Sequence, residues 1–481
     1  MAQGGASYQD VDASYLEKRS LRKGATTALL WALGVGAVIS GDYFGWNFGL
    51  AAGGFWGMCI ATMLMALMYV CMVFSIAELS AALPHAGGFY AFTRAALGPL
   101  GGYLCGVTDT IEYVITPAVI VDGIGGYLSQ LVPDVPAFVW WLLAYGIFVA
   151  INIRGVELTL RVGLVITVLA VAVLVVFYSG AIVTGAFSAD RLFNIAPEAG
   201  QSATFLPRGV RGVFAALPYA IWFYLAIEQL PLAAEEAHDA AASMPRALLY
   251  GIGTLLVLSL LTLVLNSGVG GGALEVSASK APLEVGLRAV FGRGATSAVL
   301  TMTALAGLVA SFHSVIYAYG RVLFSLSRAG YFPRSISLTS KNQTPHVALL
   351  LGAVIGLAAT FAIDRFRKGV VGAALLNMAV FGAVISYALV MLSYIRLRAT
   401  RPELPRPYRS PLGVPGAALG ALLSIVALAA TFYTEEYRPA VYGVAIFVGL
   451  ALLYYLLYSR TRLVAQAPEE QIALSRDHQK R

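Results

Sequence analysis

The feature that most constrains this chain is a series of twelve apolar runs, each long enough to cross a bilayer core of about 30 Å. They fall near residues 24–51, 55–80, 92–120, 136–153, 162–186 and 209–233. Six more follow near 246–268, 294–320, 346–363, 370–395, 412–433 and 438–458. Hydrocarbon offers no partner to a backbone N–H or C=O, so runs of this length are expected as helices. The composition agrees: 59% of the 481 residues are apolar and 12% charged, against about 45–50% and 25% in soluble domains. A soluble enzyme, a disordered chain and a disulfide-stapled secreted scaffold are excluded. Cys59, Cys71 and Cys105 lie inside apolar runs and read as small buried hydrophobes, not as bridges or metal ligands. The expected fold class is an all-α polytopic membrane protein.

Twelve spans place both ends of the chain on one side. With the spans so drawn, 22 of the 32 Lys and Arg residues fall on that side and ten on the other. The positive-inside rule then makes both termini cytoplasmic. The formal charge of +7 is thereby a matter of topology and lipid contact, and no nucleic-acid partner is expected. No short apolar segment with a cleavage site precedes the first run, so no removable signal is expected.

Two runs are irregular. The first reads Ala32-Leu33-Gly34-Val35-Gly36-Ala37-Val38-Ile39-Ser40-Gly41-Asp42-Tyr43-Phe44-Gly45, with four glycines and a charge. The sixth carries Pro218 and Pro231 around Trp222-Phe223-Tyr224-Leu225-Ala226-Ile227-Glu228. Interruptions five spans apart suit an inverted-repeat carrier, whose binding site lies at discontinuous helices. The competing reading is close helix packing, since Gly41, Gly45 and Gly49 are spaced four apart; it explains the glycines but not the aspartate.

Four further motifs carry a family resemblance. They are Glu78-Leu79-Ser80-Ala81-Ala82-Leu83-Pro84-His85-Ala86-Gly87-Gly88-Phe89-Tyr90; Ala234-Glu235-Glu236 with Pro245-Arg246; Arg321-Val322-Leu323-Phe324-Ser325-Leu326-Ser327-Arg328-Ala329-Gly330-Tyr331-Phe332-Pro333; and Arg401-Pro402-Glu403 with Arg406-Pro407-Tyr408. In this order they resemble the amino acid–polyamine–organocation (APC) transporters along nearly the whole chain. The resemblance implies a LeuT-like fold, with a 5+5 inverted repeat plus two helices. The expected organisation is a cytoplasmic segment 1–23, a first repeat 24–186, an extracytoplasmic loop 187–208 and a second repeat 209–395. A cytoplasmic loop 396–411, two spans in 412–459 and a cytoplasmic tail 460–481 complete it, the tail polar and without an informative motif. Within the superfamily, Ser40-Gly41-Asp42-Tyr43-Phe44-Gly45-Trp46-Asn47 and Ser311-Phe312-His313-Ser314 look most like the bacterial ethanolamine permeases.

Ionisable residues at bilayer depth cost about 2.5–3.5 kcal/mol on insertion scales and are functional candidates. In amino-acid carriers of the family, the stretch matching Ser40-Gly41 presents bare backbone N–H groups to a substrate carboxylate. Here Asp42 follows, a charge that repels a carboxylate and attracts an ammonium; the alternative is a structural cap on the second half-helix. The resemblance places Ile39, Ser40, Gly41, Asp42 and Tyr43 at the substrate site, with Phe223, Tyr224 and Ala226 on the unwound part of span six. It gives Trp222 and Tyr224 a gating role, against plain packing. Asp109 and Glu112 share a helix face and read either as substrate and proton ligands or as structural bonds between helices. Glu228 aligns with a family acid past the break, for an ammonium or a proton, or else for freed backbone groups. His313 is either a proton-coupling group or a satisfied core histidine. Ser311 and Ser314 flank it as possible sodium ligands. Some relatives carry a lysine in span five in place of sodium; residues 162–186 contain none.

The absence of an HExxH motif, of a cysteine–histidine set and of a phosphate-binding loop argues against an enzyme or a primary pump. No cofactor or metal is expected. The expectation is a secondary carrier in the cytoplasmic membrane, monomeric or weakly dimeric, importing a small protonated amine such as ethanolamine with a proton or an exchanged counter-substrate. The alternative is a permease for a small neutral amino acid or 4-aminobutyrate.

Overall fold

The computed structural model describes residues 2–3, 5–292, 296–366, 370–433 and 438–478. The expected start of the eighth span, at 294, and the last three residues of the expected tail lie outside the described residues. Ten described helices are long and apolar enough to cross a membrane. The first span, Thr27–Tyr43, is shorter because it is interrupted, and helix Thr296–Arg328 supplies the eighth. The protein is therefore a helical multi-pass membrane protein.

Each span begins and ends for a local reason. Helix Phe48–Ala82 reverses its backbone at Gly54, φ +68°, so residues 48–53 form a short outer piece of span one and the second span follows. Helix Gly88–Leu131 has a similar reversal at Gly98, φ +84°. That corrects the expected start of span three: residues 88–97 form a separate short helix, and the span proper begins at Pro99. Spans four to seven are Ala137–Arg154, Val156–Val183, Gly209–Glu236 and Ala240–Asn266. Spans nine to twelve are His346–Arg365, Val370–Thr400, Gly413–Tyr433 and Arg438–Leu457.

The third span packs on the eighth and tenth, and the second on the far half of the sixth. Side chains such as Ile147, Val165, Val176, Ile446 and Leu457 stay exposed on the outer faces, as lipid contact requires. At the end of the bundle away from the termini, Gly272–Ala278 and Pro282–Phe291 form a helical hairpin between spans seven and eight. Asn47 holds it, donating through Nδ2 to the carbonyls of Val276 and Ser279 at 2.8 Å each.

The terminal segments correct the sequence reading. Residues 460–478 are not a featureless tail. Leu463–Val464 pairs in parallel with Ala6–Gln9, and Pro468–His478 is a helix docked on the terminal end of the bundle.

Candidate substrate site

Both expected breaks are present, with their geometry shifted from the expectation. Ser40–Tyr43 is a short helical turn, not an unwound stretch, and the backbone opens one step later at Phe44 (φ −163°) and Gly45 (φ +94°). The reason lies in span eight. The Ser311 hydroxyl donates to the Gly36 carbonyl at 2.9 Å and accepts the Ser40 N–H at 3.0 Å. It thus replaces the helical bond that Gly36 and Ser40 would have shared. The Ser40 amide is consequently committed to the protein rather than free for a substrate.

Span six breaks at Ala226, whose φ of +81° is left-handed, a conformation costing a non-glycine residue about 1–2 kcal/mol. Glu228 Oε1 supports it by accepting the Ala226 N–H at 3.0 Å. The two breaks interlock. The Trp222 carbonyl occupies the space that a Cβ at Gly41 would need, and the Trp222 ring covers Gly45. Trp222 also meets Phe44 at 5.7 Å between centroids, and Trp46 stacks on Phe223 at 5.3 Å. The packing reading of the glycine stripe is correct for Gly41 and Gly45, and it is Trp222 that they accommodate.

Asp42 is fully buried and turned toward spans five and seven. Its Oδ1 accepts from Thr262 at 3.1 Å, and the Thr262 hydroxyl also meets that of Tyr178 at 2.6 Å. Oδ2 has no partner among the described residues, and no Lys or Arg among them pairs with Asp42. Tyr43 donates to the Ala170 carbonyl at 2.8 Å, tying the break to span five; Ile39 is buried in the apolar cluster around it.

Span seven is the contributor that sequence reasoning missed. Its residues Thr262–Asn266 form a π-helical turn, a feature that recurs at functional sites. Ser259 joins the hydroxyl of Tyr224 at 2.8 Å, so this span touches both broken helices. One turn beyond Thr262, neither end of the buried Asn266 amide has a partner among the described residues, nor does the Ser267 hydroxyl. The signal was available as the polar spacing Ser259, Thr262, Asn266 within an apolar run.

A second polar group collects the acids. Asp109, Glu112 and Glu228 are all buried, and neither Glu112 oxygen nor Glu228 Oε2 has a hydrogen-bond partner among the described residues. Tyr387 donates to Glu228 at 2.6 Å and receives from Tyr69 at 3.0 Å. His313 stands apart from this cluster: its Nε2 meets the Thr159 carbonyl at 2.8 Å and its ring packs on Phe148. Ser314 keeps an unpartnered hydroxyl beside Gly36.

Comparison with known proteins fits this geometry. A transporter of Rhizobium meliloti whose function is uncharacterised is 29% identical over 80% of this chain and 81% of its own. The branched-chain amino acid permease of Bacillus subtilis is 26% identical over 94% of this chain and 97% of its own. The methylthioribose transporter of the same organism is 24% identical over 92% and 95%. Residues 28–465 match the amino acid permease family, of APC type, with which the LeuT-like fold and its two interrupted spans agree. The chain belongs to that family, and it is a membrane transporter of amino acids or related small molecules, not an enzyme.

Proposed function

We propose that the substrate is a small protonated amine, ethanolamine being the best fit, imported by alternating access with the terminus-bearing end in the cytoplasm. The observation that carries this reading is Asp42. A buried carboxylate with no basic partner is costly, and its free Oδ2 is a place for an ammonium, with the Trp222 carbonyl close by at Gly41. The same charge repels an amino acid's carboxylate, and the Ser40 amide that would bind one is occupied. Asn266, one turn away, supplies both a donor and an acceptor for the substrate hydroxyl. Trp222 and Tyr224 act as the gate over this site.

Asp109, Glu112 and Glu228 supply the coupling proton, since buried carboxyl oxygens without hydrogen-bond partners are costly to hold charged. Purified protein should bind ethanolamine and not alanine. Binding of alanine or 4-aminobutyrate in its place would make the chain an amino acid carrier and overturn the amine reading.

A further inference from the structure

The two ends of the chain form one folded unit at the terminal end of the bundle. Ala6–Gln9 pairs with Leu463–Val464, and the Val464 N–H bonds to the Ala329 carbonyl just past span eight at 3.0 Å. From there helix Pro468–His478 sets two adjacent acids into the protein interior. Glu470 is 0% and Glu469 1% exposed, burial that acids reach only when paired.

Their partners belong to different parts of the transport machinery. Glu470 pairs with Arg94, at the entry to span three, at 2.6 Å, and accepts from Tyr331 at 3.1 Å and Tyr8 at 3.2 Å. Glu469 pairs with Arg328, at the end of span eight, at 2.6 Å. Arg328 is shared, because it also pairs with Glu235 on the near half of broken span six. The N-terminal segment adds Tyr15, which donates to the Arg328 carbonyl at 2.8 Å. The start of span one is bound to the same place, since the Gly24 and Ala25 N–H groups both donate to the Glu236 carbonyl.

We infer that the paired terminal segments are an inhibitory clasp, which holds the near halves of spans one and six against spans three and eight and keeps this end of the transport path shut. Opening that end requires those half-helices to part from their neighbours. Arg328 cannot release Glu235 freely while Glu469 and Tyr15 fix its position. Undocking of the clasp is thus the step that permits opening, whatever the substrate is.

Hydrogen exchange on full-length protein in nanodiscs tests this without reference to substrate. Neutralising one partner of a buried pair is strongly destabilising to the contact. In the Glu470→Gln/Tyr8→Phe double variant, exchange should rise at least about tenfold in residues 227–236 and 24–38 as well as in 463–478. Spans eleven and twelve should exchange as in the wild type. Raised exchange in 463–478 with 227–236 still protected would overturn the inference, because the clasp would then be off and the path still shut. Unchanged protection of 463–478 would overturn it too, by showing that the contacts of Glu470 do not hold the tail. Should the double variant fold poorly, Glu470→Gln and Tyr8→Phe made singly give the same readings in smaller steps.

Discussion

Asp42 and Thr262, 220 residues apart in the chain, are joined by a hydrogen bond of 3.1 Å that links the first break to span seven. This bond satisfies one carboxylate oxygen and leaves the other without a protein partner. Asp42→Asn should therefore abolish ethanolamine binding while the protein stays folded. Losing one side of a buried charge pair costs about 3–5 kcal/mol, or two to three decades in Kd. Calorimetric titration with a parallel unfolding curve checks it. Normal binding by the variant would make Asp42 a helix cap.

Asn266 should separate amino alcohols from plain amines. A buried amide with both ends free favours a ligand that bonds to it, and a site built for a hydroxyl rejects an analogue lacking one. Wild-type protein should prefer ethanolamine to ethylamine by about tenfold or more, the worth of one net hydrogen bond. Asn266→Leu, of similar size, should erase the preference by weakening ethanolamine alone. Equal losses for both amines would assign Asn266 to the fold.

The two breaks were legible in the sequence because glycine, proline and charge are poor company for a lipid-facing helix, and Asp42 stood out for that reason. What the residues could not reveal was direction. Nothing local to Ser40 shows that its amide is met by Ser311, 271 residues on, or that His313 turns to span five rather than to the acids. Hydrophobic patterning reports which residues are buried and not which distant partner faces them. The terminal helix was illegible for the opposite reason. Glu469 and Glu470 sit in a polar stretch that resembles a solvated tail, and Arg94 and Arg328, at the ends of two distant spans, make their burial possible.

Ser311 and the acids divide the coupling question. The Ser311 hydroxyl is engaged by Gly36 and Ser40, so its role is to splint the break. Ser311→Ala should cost about 1–3 kcal/mol in unfolding free energy by stranding buried backbone groups, equally with and without sodium. Liposome uptake of ethanolamine should follow a pH gradient, and Glu112→Gln or Asp109→Asn should flatten that response. His313→Ala should lower stability and leave the pH response in place. A strict sodium requirement without pH dependence would refute this assignment.

Trp222 is 7% exposed, whereas Phe223 and Tyr224 beside it are 0% exposed. It covers Gly45 and leans on Phe44, so its indole can swing without unpacking the other two rings. Trp222→Ala should cut transport in liposomes by tenfold or about that, since a carrier needs its gate over a midplane site. Trp222→Phe should retain most of it, with equal amounts of folded protein in each case. Full transport by the alanine variant would reduce Trp222 to packing.

The clasp should respond to pH through Glu469. Burial, reinforced by Glu235, outweighs the pull of Arg328 and pushes its carboxyl from the ordinary 4.5 up to about 7. Tyr15 from the N-terminal segment and Tyr90 from the short helix before span three also face it, while Glu470 lies beside it in the helix. His85, near Glu235 and Arg328, is held down to about 4 by burial and stays neutral in this range. The docked form thus binds a proton more tightly than the undocked one. Docking gains this contribution fully below pH 4.5 and loses it as pH rises through 7. Between pH 6 and pH 8 the docking constant should fall about tenfold. Exchange in 463–478, corrected for its intrinsic pH dependence, should rise accordingly, and Glu469→Gln, which cannot ionise, should remove the rise. A tail equally protected at both pH values in the wild type would deny Glu469 this role.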